Sequence, residues 1–345
     1  MRYNHAMTTG ERKMTAPDRR LSVAPMMDWT DRHCRHFHHY VAPDALLFTE
    51  MVTADAVIHG DRDRLLGQPP EDIDAAVPVA LQLGGSDPAR LAEATRIAND
   101  YGYAEVNLNV GCPSDRVQSG RFGACLMAEP ALVADCVTAM RAATDLPVTV
   151  KCRIGIDDMD PEAGLDRFVA HVADAGVSVI YLHARKAWLN GLSPKENRDI
   201  PPLDYDRARR LAAANPDLQV ILNGGLDSCD VALAESHGFA GVMLGRAAYR
   251  TPMVLAEIAT QLDDMPPPSR LEVARGMADY ADMATAQGVP LHSITRHMLG
   301  LYHGQRGARI WRRHLGEDAR SRKDGGTLIR EVAAVCEAMN DALAA

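Results

Sequence analysis

The sequence VNLNVGCPS at residues 106–114 begins with a short β-prone run and ends in a tight turn. Runs of this kind recur along the chain, at intervals that leave room for a loop and a helix after each one. Most of them are continuously apolar, which is typical of parallel strands buried on both faces. The eight runs are 21–25, 46–50, 79–83, 106–110, 148–152, 179–183, 220–224 and 241–245.

Helical patterns separate these predicted strands, and several begin with suitable caps, such as Ser86 and Asp87 before Pro88. Eight β/α units within about 230 residues match the usual size of a (β/α)8 TIM barrel. A doubly wound sheet is the alternative, but it would normally have fewer units. The sequence therefore predicts an α/β protein built on a TIM barrel. The clearest helical patterns are 88–101, 129–143, 161–175 and 204–214.

The barrel is expected to span residues 21–262, and a stiff proline-rich linker follows it at 265–269. A small C-terminal helical bundle is then predicted over 269–345. Residues 1–20 are polar and have no apolar segment of the secretory type, so we expect a ragged or disordered tail there. The helical patterns of the C-terminal bundle are 270–287, 291–302, 308–315 and 326–344.

The composition is 47% hydrophobic and 24% charged over 345 residues, the balance expected of a soluble globular protein with a sizeable core. No apolar run is long enough to cross a bilayer. The 7 cysteines form no CxxC pair, which argues against a disulfide framework or a zinc site and favours a reducing cytoplasm. We therefore expect a cytoplasmic protein with no metal, no membrane contact and no obligate protein partner.

The net charge of −9, taken alone, argues against a nucleic-acid partner. Residues 291–330, however, carry nine Lys and Arg side chains against three acids. We interpret this asymmetry as a local basic patch suited to binding phosphates. A solvated helix face is the alternative interpretation.

Polar residues occur where the predicted strands end. In a TIM barrel the active site forms at the carboxyl ends of the strands. Any one of these residues could be an ordinary loop or capping group, but six strands that end alike favour a shared site. The residues are Gln82 on strand three, Asn107 and Asn109 on four, Lys151 and Arg153 on five, His183 and Arg185 on six, Asn223 on seven, and Arg246 after eight.

Flavin mononucleotide (FMN) is the ligand that fits this set of residues. TIM barrels commonly bind phosphate after strands seven and eight, where glycines let backbone N–H groups approach the phosphate oxygens. Lys151 would stabilise an anionic reduced flavin ring, Gln82 offers that ring both a donor and an acceptor, and His183 could bind flavin or substrate. The phosphate would contact Gly224, Gly225, Gly245 and Arg246.

Cys112 lies just beyond strand four, between a glycine and a proline, on a tightly shaped loop. Most cysteines fill space in a core, as we expect for Cys136, Cys152 and Cys336. No neighbour in sequence would activate Cys112 as a nucleophile, and an unactivated thiol is mostly protonated at neutral pH. We therefore predict that Cys112 is a general acid, the group that reduction of a polarised C=C bond needs opposite a hydride donor.

Longer motifs surround these residues: APMMDWTD at 24–31, LQLGGS at 81–86, NLNVGCPS at 107–114, HARK at 183–186 and NGG at 223–225. Together they resemble the tRNA-dihydrouridine synthase family. The stretch LSPKENRDIPPL at 192–203 is similar to the A-type subfamily in particular. The resemblance keeps the family's order from about residue 21 to about residue 322, which is nearly the whole chain.

The resemblance implies an FMN-binding barrel followed by a helical tRNA-binding domain. It also implies that NADPH reduces the flavin, which then reduces the 5,6 double bond of uridine. For the A-type, the implied targets are the D-loop uridines conventionally numbered 20 and 20a. Flavin N5 would give hydride to C6 while Cys112 gives a proton to C5, after the base has left its stack.

The motifs also imply individual contacts. Asn109 would touch the target nucleotide, and Met27, which lies where many members have leucine, would use its backbone. The tRNA contacts would be Lys195, Arg198, Arg309 and Arg312. The flavin contacts would be Pro25, Met26, Met27, Gln82, Lys151, His183, Asn223, Gly224, Gly225, Gly245 and Arg246.

Two other functions remain open at this point. A flavin barrel acting on free pyrimidines, like a relative of dihydroorotate dehydrogenase, would explain the strand ends. It would not explain the basic C-terminal helices or the segment 195–198. A tRNA-binding protein whose flavin site has decayed would explain the helices, and it would be colourless and impossible to reconstitute with FMN.

Overall fold

The computed structural model of the chain describes residues 17–67, 77–114, 120–322 and 324–341. Eight parallel strands follow one another around a closed barrel in chain order, so the predicted TIM barrel is confirmed. β1 pairs with both β2 and β8, which closes the barrel. The strands are β1 (Leu21–Val23), β2 (Leu46–Thr53), β3 (Val79–Gly84), β4 (Glu105–Val110), β5 (Val148–Arg153), β6 (Val179–His183), β7 (Gln219–Asn223) and β8 (Gly241–Leu244).

Helices follow the strands and cover the outside of the barrel. Asp31 caps the first of them by accepting the backbone N–H groups of His33 and Cys34. The predicted helix over 88–101 ends earlier than expected, because its last turn is a 3-10 turn that stops at Gly102 in the left-handed conformation. The helices are α1 (Arg32–Val41), α2 (Ala54–His59), α3 (Arg62–Leu66), α4 (Pro88–Ala98), α5 (Pro130–Arg141), α6 (Ala163–Asp174), α7 (Tyr205–Ala214), α8 (Cys229–Glu235), α9 (Arg246–Arg250) and α10 (Met253–Asp263).

The C-terminal region is helical, as predicted. The helix expected over 291–302 is wrong beyond Thr295, where the chain continues in turns. Gly304 and Gly307 lie there with φ of 76° and 81°, a conformation that glycine adopts readily. No helix among the described residues is long and apolar enough to span a membrane. The C-terminal helices are α11 (Arg270–Ala286), α12 (Leu291–Thr295), α13 (Ala308–Glu317) and α14 (Thr327–Asp341).

The amino-terminal end of the barrel includes residues that we expected in a tail. The carbonyl of Arg20 accepts the N–H of Val242 at 2.9 Å. Arg19 is only 6% exposed, and its Nε donates to Oε2 of Glu105 at 2.8 Å. Glu105 is the first residue of β4 and is fully buried. An arginine–glutamate pair therefore closes the end of the barrel opposite the strands' carboxyl ends.

Candidate active site

A cavity of about 620 Å³ opens at the carboxyl ends of the barrel strands. Cofactor and ligand sites typically measure about 300–1,000 Å³. Lys195, Arg309 and Arg312 do not belong to the part of its lining that the structure describes. The residues proposed from sequence that do line it are Pro25, Met26, Met27, Gln82, Asn109, Cys112, Lys151, His183, Arg198, Asn223, Gly224, Gly225, Gly245 and Arg246.

The loop that carries the thiol, which we call the Cys112 loop (residues 111–114), is held from several sides. Oδ1 of Asn109 accepts the N–H groups of Gly111 and Cys112 at 3.1 and 3.0 Å. The N–H of Ala124 donates to the carbonyl of Cys112 at 2.9 Å. The thiol itself is partly exposed and lies 3.5 Å from Oγ of Ser114. These contacts hold the sulfur at the edge of the cavity.

Arg153 ties the Cys112 loop to the long segment after β6. Its Nε donates to the carbonyl of Gly111 at 3.0 Å. Its Nη1 donates to the carbonyls of Lys186 and Asn197 at 3.1 and 2.9 Å. The side chain is 3% exposed, and burial together with the charge of Arg198 lowers the pKa of Arg153 to about 10. A buried guanidinium whose partners among the described residues are carbonyls keeps its positive charge in the wall of the cavity.

Lys151 places a titratable amine in the cavity. Its Nζ donates to Oδ1 of Asn223 at 2.8 Å, and Nδ2 of Asn223 donates to the carbonyl of Met243 at 2.7 Å. Burial, and then the charge of Arg153, lower the pKa of Lys151 to about 7. The amine is therefore only partly protonated at neutral pH, and a nearby anion would favour its charged form.

His183 and the two glycines after β7 fit tightly together. Burial and the charges of Arg153 and Lys151 lower the pKa of His183 well below its ordinary value, so the imidazole is neutral. Gly224 has φ of 108°, and a Cβ there would lie 2.5 Å from the ring of His183. Gly225 has φ of 71°, and a Cβ there would lie 2.4 Å from Leu203. Both positions therefore require glycine.

Gly245 and Arg246 follow β8, which pairs with β7, so they lie beside the two glycines in the wall of the cavity. Nη2 of Arg246 donates to Oδ1 of Asp199 at 2.6 Å, which links β8 to the segment after β6. A Cβ added to Gly245 would have Cβ of Ala24 as its nearest neighbour, at 3.9 Å, so the backbone of Gly245 faces open space. An accessible glycine backbone beside an arginine is suited to an anionic group.

Several lining residues were given no specific contact from sequence, although Arg153 and Arg185 were placed among the strand ends that form the site. Arg153 and Arg185 each lie two positions beyond a predicted contact, and this spacing places them on the same side of an extended chain. That spacing could have predicted a contact with the ligand for both arginines. Trp29 stacks on Tyr249 with 4.3 Å between ring centroids, a pairing that no local pattern indicates. The lining residues without a predicted contact include Trp29, Met51, Arg153, Arg185, Asp199 and Asp227.

Only some of the cations in the predicted basic patch are free of ion pairs among the described residues. Arg309 and Arg312 are exposed on α13, whose Trp311 is buried on the opposite side. Other cations of the patch form ion pairs with carboxylates of the same chain. These pairs are Arg296 with Asp31, Arg322 with Asp324 and Glu331, and Arg330 with Asp279 and Asp282.

Known proteins are similar to this chain over most of its length. A tRNA-dihydrouridine(20/20a) synthase of Xanthomonas campestris pv. campestris is 56% identical over 313 residues, which cover 90% of this chain and 92% of that protein. The protein of the same name from Vibrio cholerae is 54% identical over 303 residues, 87% of this chain and 91% of that one. Among solved structures, the old yellow enzyme homologue from Zymomonas mobilis is similar with a TM-score of 0.47 and 12% identity, covering 72% of this chain and 90% of that chain. The model of the family described as Dihydrouridine synthase (Dus) matches residues 22–340, and the chain belongs to this family.

Proposed function

We propose that this protein reduces uridines of tRNA to dihydrouridine with bound FMN as its redox cofactor and NADPH as its reductant. The observation that carries the proposal is the partly exposed thiol of Cys112, fixed at the edge of a cavity rich in cations. The names of the relatives from Xanthomonas and Vibrio support uridines 20 and 20a of the D-loop as the targets.

The residues of the cavity fit FMN in charge and in backbone geometry. In the part of the lining that the structure describes, cations outnumber the acids Asp199 and Asp227, which suits a ligand with a doubly charged phosphate. We assign the phosphate to Gly224, Gly225, Gly245 and Arg246. We assign the flavin ring to Pro25, Met26, Met27, Gln82, Lys151, His183 and Asn223. The cations of the lining are Lys151, Arg153, Arg185, Arg198 and Arg246.

When bound, FMN reduced by NADPH supplies the hydride for C6 of the uracil ring. Negative charge then develops on C5, next to the C4 carbonyl, and Cys112 donates its proton there. One hydride and one proton saturate the 5,6 bond, and the thiolate regains a proton from solvent. The amide of Asn109 would bind the base by hydrogen bonds, and the neutral His183 would contact the flavin ring in the same way.

The exposed arginines and lysines outside the cavity suit the tRNA backbone. We assign phosphate contacts to Lys195 and Arg198 after β6, and to Arg309 and Arg312 on α13. Arg198 also lines the cavity, so it lies between the catalytic site and the outer surface. Binding that depends on phosphate contacts weakens as salt rises. The target base must leave its stack to reach Cys112.

The experiment that tests the proposal uses the purified full-length protein, NADPH and unmodified tRNA, with nucleoside mass spectrometry as the readout. We expect a yellow protein, dihydrouridine in the tRNA, and no reduction of free uridine. Equal turnover of free uridine and tRNA would overturn the RNA assignment. A colourless protein that FMN cannot reconstitute would overturn the flavin assignment. Mapping tRNA from cells that lack the protein tests positions 20 and 20a.

A further inference from the structure

Strand β4 carries polar side chains inside the barrel, below the cavity. Its apolar residues alternate with Glu105, Asn107 and Asn109, as the period of two in a β-strand requires. These three polar side chains are 0%, 0% and 7% exposed. Burying polar groups is unfavourable unless each finds a hydrogen-bond partner. The strand therefore needs a network of partners inside the barrel.

The lower half of that network begins at the closed end of the barrel. Nε of Arg19 donates to Oε2 of Glu105 at 2.8 Å, and Oγ1 of Thr149 on β5 donates to Oε1 at 2.5 Å. Oγ1 of Thr149 in turn accepts Nδ2 of Asn107 at 2.8 Å. Thr149 is 1% exposed, so its hydroxyl is shielded from water.

The upper half continues without a break to the Cys112 loop. Oδ1 of Asn107 accepts Nε2 of Gln82 on β3 at 2.8 Å. Oε1 of Gln82 accepts Nδ2 of Asn109 at 2.8 Å. Oδ1 of Asn109 accepts the backbone N–H groups of Gly111 and Cys112. One hydrogen-bond chain thus runs through the barrel interior from the buried Arg19–Glu105 ion pair to the backbone of Cys112.

The two ends of this hydrogen-bond chain determine which group donates and which accepts in every bond along it. An ionised carboxylate can only accept hydrogen bonds, and a backbone N–H can only donate them. The three side-chain amides between them could each be rotated so that oxygen and nitrogen exchange places. Only one arrangement lets each of these groups donate to the next one along the network, and it is the one observed. Burial raises the pKa of Glu105, whereas the charge of Arg19, which is bound to the other carboxylate oxygen, and the hydrogen bond from Thr149 oppose that rise and favour the ionised form.

We propose that Glu105, Thr149 and Asn107 are positioning residues that fix the side-chain amides of Gln82 and Asn109, and thereby hold the Cys112 loop in place. None of the three lines the part of the cavity that the structure describes. Their effect on the reaction rests on the proposed function, whereas their effect on the loop does not. If Thr149 could not accept, the NH₂ group of Asn107 would lose its partner. The amides above it could then rotate, and Gly111 and Cys112 would lose their acceptor.

The test is hydrogen–deuterium exchange of the Gly111 and Cys112 amides in the Thr149→Val variant, which keeps the side-chain shape and removes the hydroxyl. We expect exchange at these two amides to rise by about tenfold, the effect of losing roughly one net hydrogen bond. Exchange in β7 should stay unchanged. Thr149→Ser restores the hydroxyl and should restore slow exchange, together with the rate of dihydrouridine formation lost in Thr149→Val.

The matched control is Thr95→Val on α4, which also removes a fully buried hydroxyl, one that donates to the carbonyl of Leu91. It should leave exchange at Gly111 and Cys112 unchanged. If Thr149→Val is too unstable to purify, Glu105→Gln, which removes the carboxylate that accepts the Thr149 hydroxyl, should raise exchange at the same amides to a smaller extent.

Wild-type exchange rates in both Thr149→Val and Glu105→Gln would overturn the inference. A wild-type protein that forms no dihydrouridine, while Thr149→Val still loosens these two amides, would reject the proposed function and leave the positioning role standing.

Discussion

At the scale of single residues, the thiol of Cys112 has a role that a substitution can separate from cofactor binding. Cys112→Ala should keep its FMN and its oxidation of NADPH, because none of the contacts assigned to FMN uses the sulfur. Dihydrouridine formation should fall by roughly 10²–10⁴, the usual contribution of a general acid. The two rates can be measured by stopped-flow absorbance and by nucleoside mass spectrometry.

The matched control for this substitution is Cys229→Ala, which removes another partly exposed thiol at the first position of α8. It should form dihydrouridine at the wild-type rate. Normal product formation by Cys112→Ala would show that another group donates the proton.

Lys151 predicts a pH dependence of cofactor affinity. Because burial lowers the pKa of Lys151 to about 7, the charged amine prevails below that pH and is lost above it. Affinity for FMN should therefore fall as pH rises from 7 to 9, by up to about tenfold per unit, the limit for one linked proton. Flavin fluorescence titrations of the cofactor-stripped protein measure it.

The comparison that isolates this effect is Lys151→Gln, which has no charge at any of these pH values. Titration of the FMN phosphate affects both proteins equally and so cancels in the ratio of their dissociation constants. The dissociation constant of Lys151→Gln divided by that of the wild-type protein should decrease as pH rises. A ratio that stays constant from pH 6 to 9 would exclude Lys151 as the titrating group.

At the scale of the element, helix α1 is notable for the imidazoles it buries. It packs against α11 of the C-terminal region. His36 lies 4.1 Å from the ring of Tyr280, and Nδ1 of His33 lies 2.5 Å from the hydroxyl of the same tyrosine. Burial lowers the pKa values of His33 and His38 to about 4 and that of His36 to about 3. The helix is therefore built to be packed with neutral histidines.

Because these buried histidines are uncharged in the folded protein, the free energy of unfolding depends on pH. In the unfolded chain these histidines take up protons near pH 6.5, but in the folded protein they do so only near pH 4 or below. Stability is thus fully present above pH 6.5 and is lost as pH falls from there towards 4. The slope is about 1.4 kcal/mol per pH unit for each histidine. Urea unfolding at pH 7, 6 and 5 measures it.

His36→Phe should reduce the slope of the free energy of unfolding against pH by the contribution of one histidine, roughly 1.4 kcal/mol per pH unit. Val41→Ala is the matched control on the same helix, since it removes buried apolar volume without removing an imidazole. It should lower stability equally at every pH. Equal slopes in His36→Phe and the wild-type protein would contradict the role given to His36.

The strands show which parts of the site a sequence can reveal. Residues in the last positions of a strand, such as Gln82, Lys151 and His183, could be assigned because the barrel brings all strand ends to one face. Asn107 was placed at that face too. It lies two residues earlier on β4 than Asn109, and it is fully buried in the barrel below that face. Glu105 was missed, although the alternation along β4 could have shown it. Its partner Arg19 could not be inferred, because no local pattern links an amino-terminal arginine to the start of β4.

At the scale of the whole molecule, a small polar cluster joins the barrel to the C-terminal region. Oδ2 of Asp31 accepts Nη2 of Arg296 at 2.7 Å and lies 3.0 Å from Nε2 of His297. Burial alone would raise the pKa of Asp31, but its contacts with His297 and Arg296 hold the pKa well below the usual range. Tyr249, which stacks on Trp29 of the cavity lining, donates its hydroxyl to the carbonyl of Arg296. The cavity and the C-terminal helices are thus directly connected.

We propose, on the strength of this connection, that α13 is a second point of contact for a substrate as large as tRNA, and charge reversal there tests it. Arg309→Glu/Arg312→Glu should weaken tRNA binding by at least about tenfold and flatten its salt dependence by about one unit of log slope per lost phosphate contact. FMN content should not change, because neither arginine lines the described part of the cavity. Filter binding at several salt concentrations measures both quantities.

The necessary control has the same change in net charge at a different place. Arg96→Glu/Arg167→Glu reverses two exposed cations on α4 and α6, outside the barrel. Long-range repulsion between the protein and tRNA is the same in both variants, so any additional loss in Arg309→Glu/Arg312→Glu must come from local contacts at α13. If the two variants bind tRNA equally, the arginines of α13 form a solvated helix face, and the tRNA must be held by the segment after β6 and the cavity alone.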